Sequence, residues 1–260
     1  MIEEMAIVNR ERVVAVLDNH GRGMKKVLII VNAEVNEQGK TISGSPVTEK
    51  MVAALKQGIA TSSQPVGIEV VAAGNLWSKS NKPVNDDSEL IYCPLTIQLP
   101  EYFEFPGKKI YSACRDIVGR RRWVENNLGY KTSVGDSWLG HLWLPIVFNN
   151  QTPLYGEVIG EGAIPNSYEQ PIDLSIRLRK SLYHLANQLL KSLSAPSAVY
   201  LIQFSIHNSE IIFDRLWPFP AAPALASLRN QYPDLYTCHW YCLTKQPLLE
   251  LAISGEIMPI

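Results

Sequence analysis

Apolar residues follow two rhythms along this chain, and the change comes near its middle. KKVLIIVN (25–32) and PVGIEVVAAG (65–74) are short, continuous, β-branched runs, the pattern of strands buried on both faces of a parallel sheet. Between them Ser45-Pro46 predicts a helix start, with Ser as cap and Pro in the first turn. Val47, Met51, Ala54 and Leu55 then share one helical face, and Gly58 is the expected stop. Residues 25–72 therefore predict strand–helix–strand with a parallel pair. ELIYCPLTIQLP (89–100) and KKIYSAC (108–114) predict two more strands, and 115–127 a helix that ends at Gly129. A short amphipathic helix over 5–18 and a polar loop over 75–87 complete this half.

From residue 144 onward the pattern alternates between hairpins and one long helix. LPIVFNN (144–150) and PLYGEVIGEG (153–162) read as strands around Asn149-Asn150-Gln151-Thr152. Leu174, Leu178, Leu182, Leu185, Leu189 and Leu193 keep the three-and-four spacing of a helix over 173–194, with Asp173 as its expected cap. SAVYLIQFSI (197–206) and EIIFD (210–214) form a second hairpin across His207-Asn208-Ser209. The fold class is thus an α/β N-terminal domain with a parallel sheet (1–115), followed by an α+β lobe with antiparallel strands and a long helix (116–260).

Composition narrows the function classes. A net charge of −1 gives no global attraction to nucleic acid or to an anionic membrane, and neither is expected as a partner. No apolar run has the length of a transmembrane helix. The opening MIEEMAIVNRERVV carries acids where a signal peptide carries bases, so a cytoplasmic location is expected. Cys93, Cys114, Cys238 and Cys242 are too few for a disulfide scaffold of this length and are expected as thiols. Cys238-His239-x-x-Cys242 is half of a zinc site without a second half, and buried thiols are the better reading.

Several polar residues are placed where chemistry is possible. The second hairpin ends on an acid and a base, Asp214 and Arg215, and LWPFPAAPA follows at once. Neighbouring strand residues point to opposite faces, so the two serve one site only if the strand bends, and Pro218 is a source of such a bend. The proline-rich segment itself is either a rigid connector or a polyproline dock for a protein partner. Arg120, Arg121 and Arg122 span a helix circumference, so one or two face a common ligand. Asp116 and Glu125 are there to balance the others as a solvated face. Glu157 and Glu161 share a strand face and either line a cleft or coat a half-exposed hairpin. Gly156-x-x-x-Gly160-x-Gly162 lies in strand and suggests packing rather than a phosphate loop.

The order hairpin, long helix, hairpin, with an acid–base pair before Pro218, resembles the C-terminal lobe of the ATP-grasp superfamily over roughly 144–255. The resemblance implies carboxylates on the last two strands that hold Mg²⁺ against ATP. Asp214 stands at the metal-binding Glu of the family's Glu-x-Asn-x-Arg pattern, with Leu216 and Pro218 in place of Asn and Arg, and Gln203 stands where the first strand carries its acid. Arg121, in CRDIVGRRRW, is near the family's phosphate-binding lysine. The nucleotide-binding set so implied is Arg121, Glu157, Asp214 and Arg215, with Asp214 on the metal and ATP and Mg²⁺ as cofactors. With these ligands substituted, the expectation is a degenerate ATP-grasp-like protein acting by binding or assembly. The alternative is an ATP- and Mg²⁺-dependent carboxylate–amine/thiol ligase proceeding through an acylphosphate.

Overall fold

The computed structural model describes residues 25–36, 45–78, 90–135, 139–149 and 152–253. The expected helix over 5–18, most of the 75–87 loop and the turn residues Asn150 and Gln151 lie outside them. In the N-terminal part, β1 (Lys25–Val31), α1 (Pro46–Ala60), β2 (Val66–Ala72), α2 (Ala73–Ser78) and β3 (Leu90–Pro94) follow in order. The three strands form a parallel sheet in the order β2-β1-β3, with Ile29 opposite both Val70 and Cys93. β1 is central, and Val27, Ile29, Ile30 and Val31 are fully buried.

The predicted strand–helix–strand unit is therefore present, cap included: Ser45 Oγ accepts from the Thr48 N–H at 3.3 Å, and Pro46 stands in the first turn. Gly58 does not stop α1, which runs on to Ala60. A Cβ at Gly58 would lie 2.9 Å from Thr237 Cα, so the position is glycine for close packing against a distant helix.

Residues 108–114 are a helix, not a strand. α3 (Lys108–Arg115) is followed by α4 (Ile117–Leu128), and Asp116 caps the second by accepting from the Gly119 N–H at 2.9 Å. Gly129 ends α4 as expected. In seven residues, apolar positions 110, 111 and 114 fit a helix face as well as a strand, and only Ile110, Tyr111 and Cys114 are buried.

The second sheet runs β4-β10-β9-β5-β7-β8, with β6 also paired to β5. Its strands are β4 (Lys131–Thr132), β5 (Leu142–Asn149), β6 (Thr152–Tyr155), β7 (Val158–Glu161), β8 (Tyr168–Ile172), β9 (Ala198–His207) and β10 (Glu210–Trp217). The expected partner strand 153–162 is two strands, both paired with β5. β9 and β10 pair antiparallel as predicted. The long helix α5 (Ile176–Ser192) buries Leu182, Leu185, Ala186, Leu189 and Leu190 and is capped by Ser175, not Asp173. Tyr183 of α5 stacks on Tyr155 of β6 at 4.0 Å, which fixes the helix on that sheet face.

A short 3₁₀ turn (Ala222–Ala226), α6 (Ser227–Asn230), β11 (Gln231–Tyr232), α7 (Leu235–Leu243) and β12 (Ala252–Ile253) close the chain's described part. α7 packs on α1, β9 and β5, and Trp240 Nε1–H donates to Ser62 Oγ at 2.8 Å. Pro218, Phe219, Pro220, Ala221, Pro223 and Ala224 are buried, and Phe219 stacks on Tyr111. The burial of most of LWPFPAAPA, with Trp217 and Ala222 half-buried, is what the rigid-connector reading expects. All four cysteines are buried free thiols. Burial pushes Cys114 and Cys242 up to about 12, so they remain neutral. No helix among the described residues is long and apolar enough to cross a membrane.

Candidate functional site

The bend that Asp214 and Arg215 require is present, and a bulge supplies it rather than the proline. Phe213 pairs with Phe204 and Arg215 with Gln203, so Asp214 is an extra residue without a cross-strand partner. The bulge turns both Asp214 and Arg215 toward one cluster. Asp214 is fully buried. Its Oδ1 accepts from Arg121 Nη2 at 2.6 Å and from Arg215 Nε at 3.1 Å, and its Oδ2 accepts from the Gly140 N–H at 2.9 Å.

Arg121 comes from α4 and is held by three groups. Besides the carboxylate, its Nε donates to Asp214 O at 3.1 Å and its Nη1 to Gly135 O at 3.1 Å. Of the three consecutive arginines, Arg121 alone is buried; Arg122 is exposed, and Arg120 lies 5.8 Å from the Trp123 ring. Asp116 and Glu125 serve local structure instead of balancing these charges. Asp116 caps α4, and Glu125 accepts from Thr132 Oγ1 at 2.5 Å.

Gln203 completes the group from β9. Its Nε2 donates to Gly140 O at 2.6 Å, and its Oε1 accepts from Trp217 Nε1–H at 2.9 Å. The Gly140 peptide is therefore clamped on both sides, N–H to Asp214 and C=O to Gln203. A Cβ there would sit 2.6 Å from Phe204 N, so a larger residue would push this clamp apart. Sequence reasoning missed Gly140 because it acts through its backbone, which leaves no residue-type signal.

Of the four residues expected to bind nucleotide, Arg121, Asp214 and Arg215 meet. Glu157 does not join them. It precedes β7, which two strands separate from β10, or about 14 Å at the usual strand spacing. Its Oε2 accepts from Arg179 Nη1 at 2.7 Å, and this hydrogen bond raises the Arg179 pKa above its ordinary range. Glu161, at the exposed end of β7, is on the other side of a register break, so the shared face expected of the two acids is interrupted.

This donor set does not fit Mg²⁺. A magnesium ion takes oxygen ligands in octahedral geometry. Here one buried carboxylate is already satisfied by two guanidinium groups and a peptide N–H, and its counterpart on β9 is a neutral amide. No group of three or more His, Cys, Asp or Glu among the described residues is arranged to hold a metal. The Cys238/Cys242 pair is in the same position: both thiols are buried, and no further ligands join them among the described residues.

No family model matches the chain, and no curated protein matches it. Solved structures do. Glycinamide-RNase-transformylase T from Mycobacterium tuberculosis is 15% identical and superposes over 88% of this chain and 82% of that one, with a TM-score of 0.58. N5-carboxyaminoimidazole synthetase from Staphylococcus aureus is 10% identical over 88% and 80%, with a TM-score of 0.61, and is also known as an ADP complex. N5-carboxyaminoimidazole ribonucleotide synthetase from Thermus thermophilus is 11% identical over 87% and 80%, with a TM-score of 0.61. These neighbours are ATP-grasp enzymes, and at such identities the likeness speaks for architecture alone: the chain has an ATP-grasp-like fold.

Proposed function

We propose that this protein uses an ATP-grasp-like scaffold for binding or assembly, and that Asp214 serves the scaffold rather than a metal. One observation carries the reading. The Arg121 guanidinium lies against the Asp214 carboxylate at 2.6 Å with both groups buried, so an internal cation stands on the acid that the family resemblance assigns to Mg²⁺. A buried pair of this kind is costly to break, because the partner left behind is an uncompensated charge. Gln203 supports the same reading, since its amide is fully used in fixing Gly140 and Trp217.

A second reading, the ATP- and Mg²⁺-dependent ligase, has its own support. The solved neighbours are ATP-grasp ligases, several of them described with ADP. Two guanidiniums also share one carboxylate, which leaves a positive charge in excess, and Arg215 is partly exposed. A phosphate is a natural counter-ion for such a group. Catalysis in that case would require the Arg121–Asp214 pair to open.

Thermal unfolding with MgATP, MgADP and no nucleotide separates the two. A ligand that binds only the folded state at a hundred times its Kd stabilises by about 2.7 kcal/mol. The binding reading expects no change of midpoint with either nucleotide. A midpoint raised by MgATP in the wild type and unchanged by it in Arg215→Ala would replace that reading with the ligase.

A further inference from the structure

Among the described residues β3 is an edge of the parallel sheet, with β1 as its one partner. In a parallel ladder, alternate residues turn both backbone groups to the same neighbour. The Leu95 N–H donates to Ile30 O at 2.8 Å, so Cys93 and Ile91, in step with Leu95, also face β1. Leu90, Tyr92 and Pro94 therefore turn their backbone groups outward. The Pro94 end of this edge is already closed. Proline has no N–H, and the Pro94 carbonyl accepts from the Tyr111 hydroxyl of α3 at 2.7 Å. The Tyr92 N–H and C=O have no partner among the described residues.

A cavity of about 320 Å³ lies against the open part of the edge. Leu90, Ile91 and Tyr92 all line it, although successive strand side chains point to opposite faces; it therefore sits at the rim of the strand and not over one face. Phe105, Ile110 and Leu243 are among its other walls. Tyr200 lines it too, but its hydroxyl is taken up by Pro196 O at 2.7 Å. Pro106, Pro196 and Lys245 are lining residues that are exposed, so the cavity opens to solvent beside them. Lys245 is the one charged side chain among the described lining residues.

A donor and an acceptor on one extended residue call for an acceptor and a donor at the same spacing. Another extended peptide has them, because directly opposed residues exchange both bonds. A strand edge beside an apolar pocket is the pattern of recognition by strand addition, in which the backbone gives affinity and the pocket selects side chains. Pro94 and Tyr111 stop the edge, so the free stretch from Leu90 to Tyr92 suits a segment of about three residues and is too short to join two sheets.

We propose that the Leu90–Tyr92 edge and its cavity bind a short, uncharged, apolar segment of a partner protein in extended conformation, with one of its residues exchanging both backbone hydrogen bonds with Tyr92. This deepens the binding reading by naming a class of partner. It does not depend on Asp214, so the nucleotide result and the peptide result stand or fall separately.

The test uses acetyl-Val-Leu-Val-amide, the same peptide N-methylated at every residue, and acetyl-Ser-Asn-Ser-amide, followed by ¹H–¹⁵N spectra and amide exchange. In the wild type the apolar peptide is expected to shift the Tyr92 amide and slow its exchange at least about tenfold. The Ile91 and Cys93 amides, already bonded to β1, should change little. The polar peptide is expected to have no effect, and the N-methylated one, which lacks the donors, to bind at least about tenfold more weakly. Tyr92→Pro removes the outward N–H without costing a bond to β1 and should weaken the peptide by a similar factor. Leu243→Trp fills the cavity and should do the same, with ligand-free thermal midpoints showing that each variant folds. If Tyr92→Pro does not fold, the N-methylated peptide tests the same pairing from the other side. A Tyr92 amide already slow to exchange in the ligand-free wild type, no shift with acetyl-Val-Leu-Val-amide, equal affinity for the N-methylated peptide, or equal affinity in Leu243→Trp would each overturn the assignment. So would self-association that slows the Tyr92 amide, since the edge would then belong to a second copy of the chain.

Discussion

β9 passes two buried polar sites, and they differ in how their hydrogen bonds are used. At Gln203, both carboxylate oxygens of Asp214, the guanidinium of Arg121 and both sides of the Gly140 peptide are engaged. At Val199, roughly 14 Å along the strand, the His239 ring gives one nitrogen to the backbone and keeps a spare N–H. The first site contains the charges and is closed; the second is neutral and keeps a buried N–H without a partner among the described residues. Hydrogen-bonding capacity is thus used up where the charges are and left over at a neutral ring.

The sharpest way to test that contrast is to remove Asp214. Asp214→Ala strands Arg121 as a buried cation and is expected to destabilise by about 3–5 kcal/mol, measured by urea unfolding. The double variant Arg121→Met/Asp214→Leu should cost less than the single one, because no charge is left unpaired. A double variant as unstable as Asp214→Ala would mean that the pair itself, not its internal balance, holds the site. Gly140→Ala comes next. Its Cβ would press on Phe204 N and Gln203, for an expected loss of about 1–3 kcal/mol in the same measurement.

At the other site the expected effect depends on pH. His239 is neutral in the folded protein down to about pH 3, whereas an unfolded His takes up its proton near 6.5. The unfolded state therefore binds the extra proton first. The stability that the neutral ring contributes is fully present above pH 6.5 and is lost as the pH falls toward 3, at about 1.4 kcal/mol per unit. Urea unfolding of the wild type and His239→Asn between pH 7 and 4.5 should show a shallower slope in the variant. Equal slopes would mean that the ring is not held neutral.

Much of this architecture was legible. The parallel strands 25–31 and 66–72 announced themselves as unbroken apolar runs, and α5 through its leucine spacing, because burial on one or both faces leaves a period in the sequence. Residues 108–114 misled, since seven residues cannot separate a helix face from a strand. Arg121, Asp214 and Arg215 were named from residue type and place. Their assignment to a nucleotide rested on kinship, and no sequence pattern shows that one of them neutralises another. Glu157 was drawn in on its carboxylate alone, and its pairing with Arg179 is a tertiary contact without a local signature. Cys238-His239-x-x-Cys242 reads as half a zinc site, and the contact His239 makes instead, with a backbone N–H some forty residues earlier, has no local signature. The bulge left no trace at all: a strand with one residue too many looks like any other.

That surplus residue has a simple corollary. Phe213 and Arg215 already face consecutive positions of β9, Phe204 and Gln203, so excising Asp214 would leave the pleat in step on both sides. The strand itself has no use for the additional position. It exists to lodge a carboxylate where α4 can reach it, and a chain shortened by that one amino acid would keep its ribbon while losing the peg on which the neighbouring helix hangs.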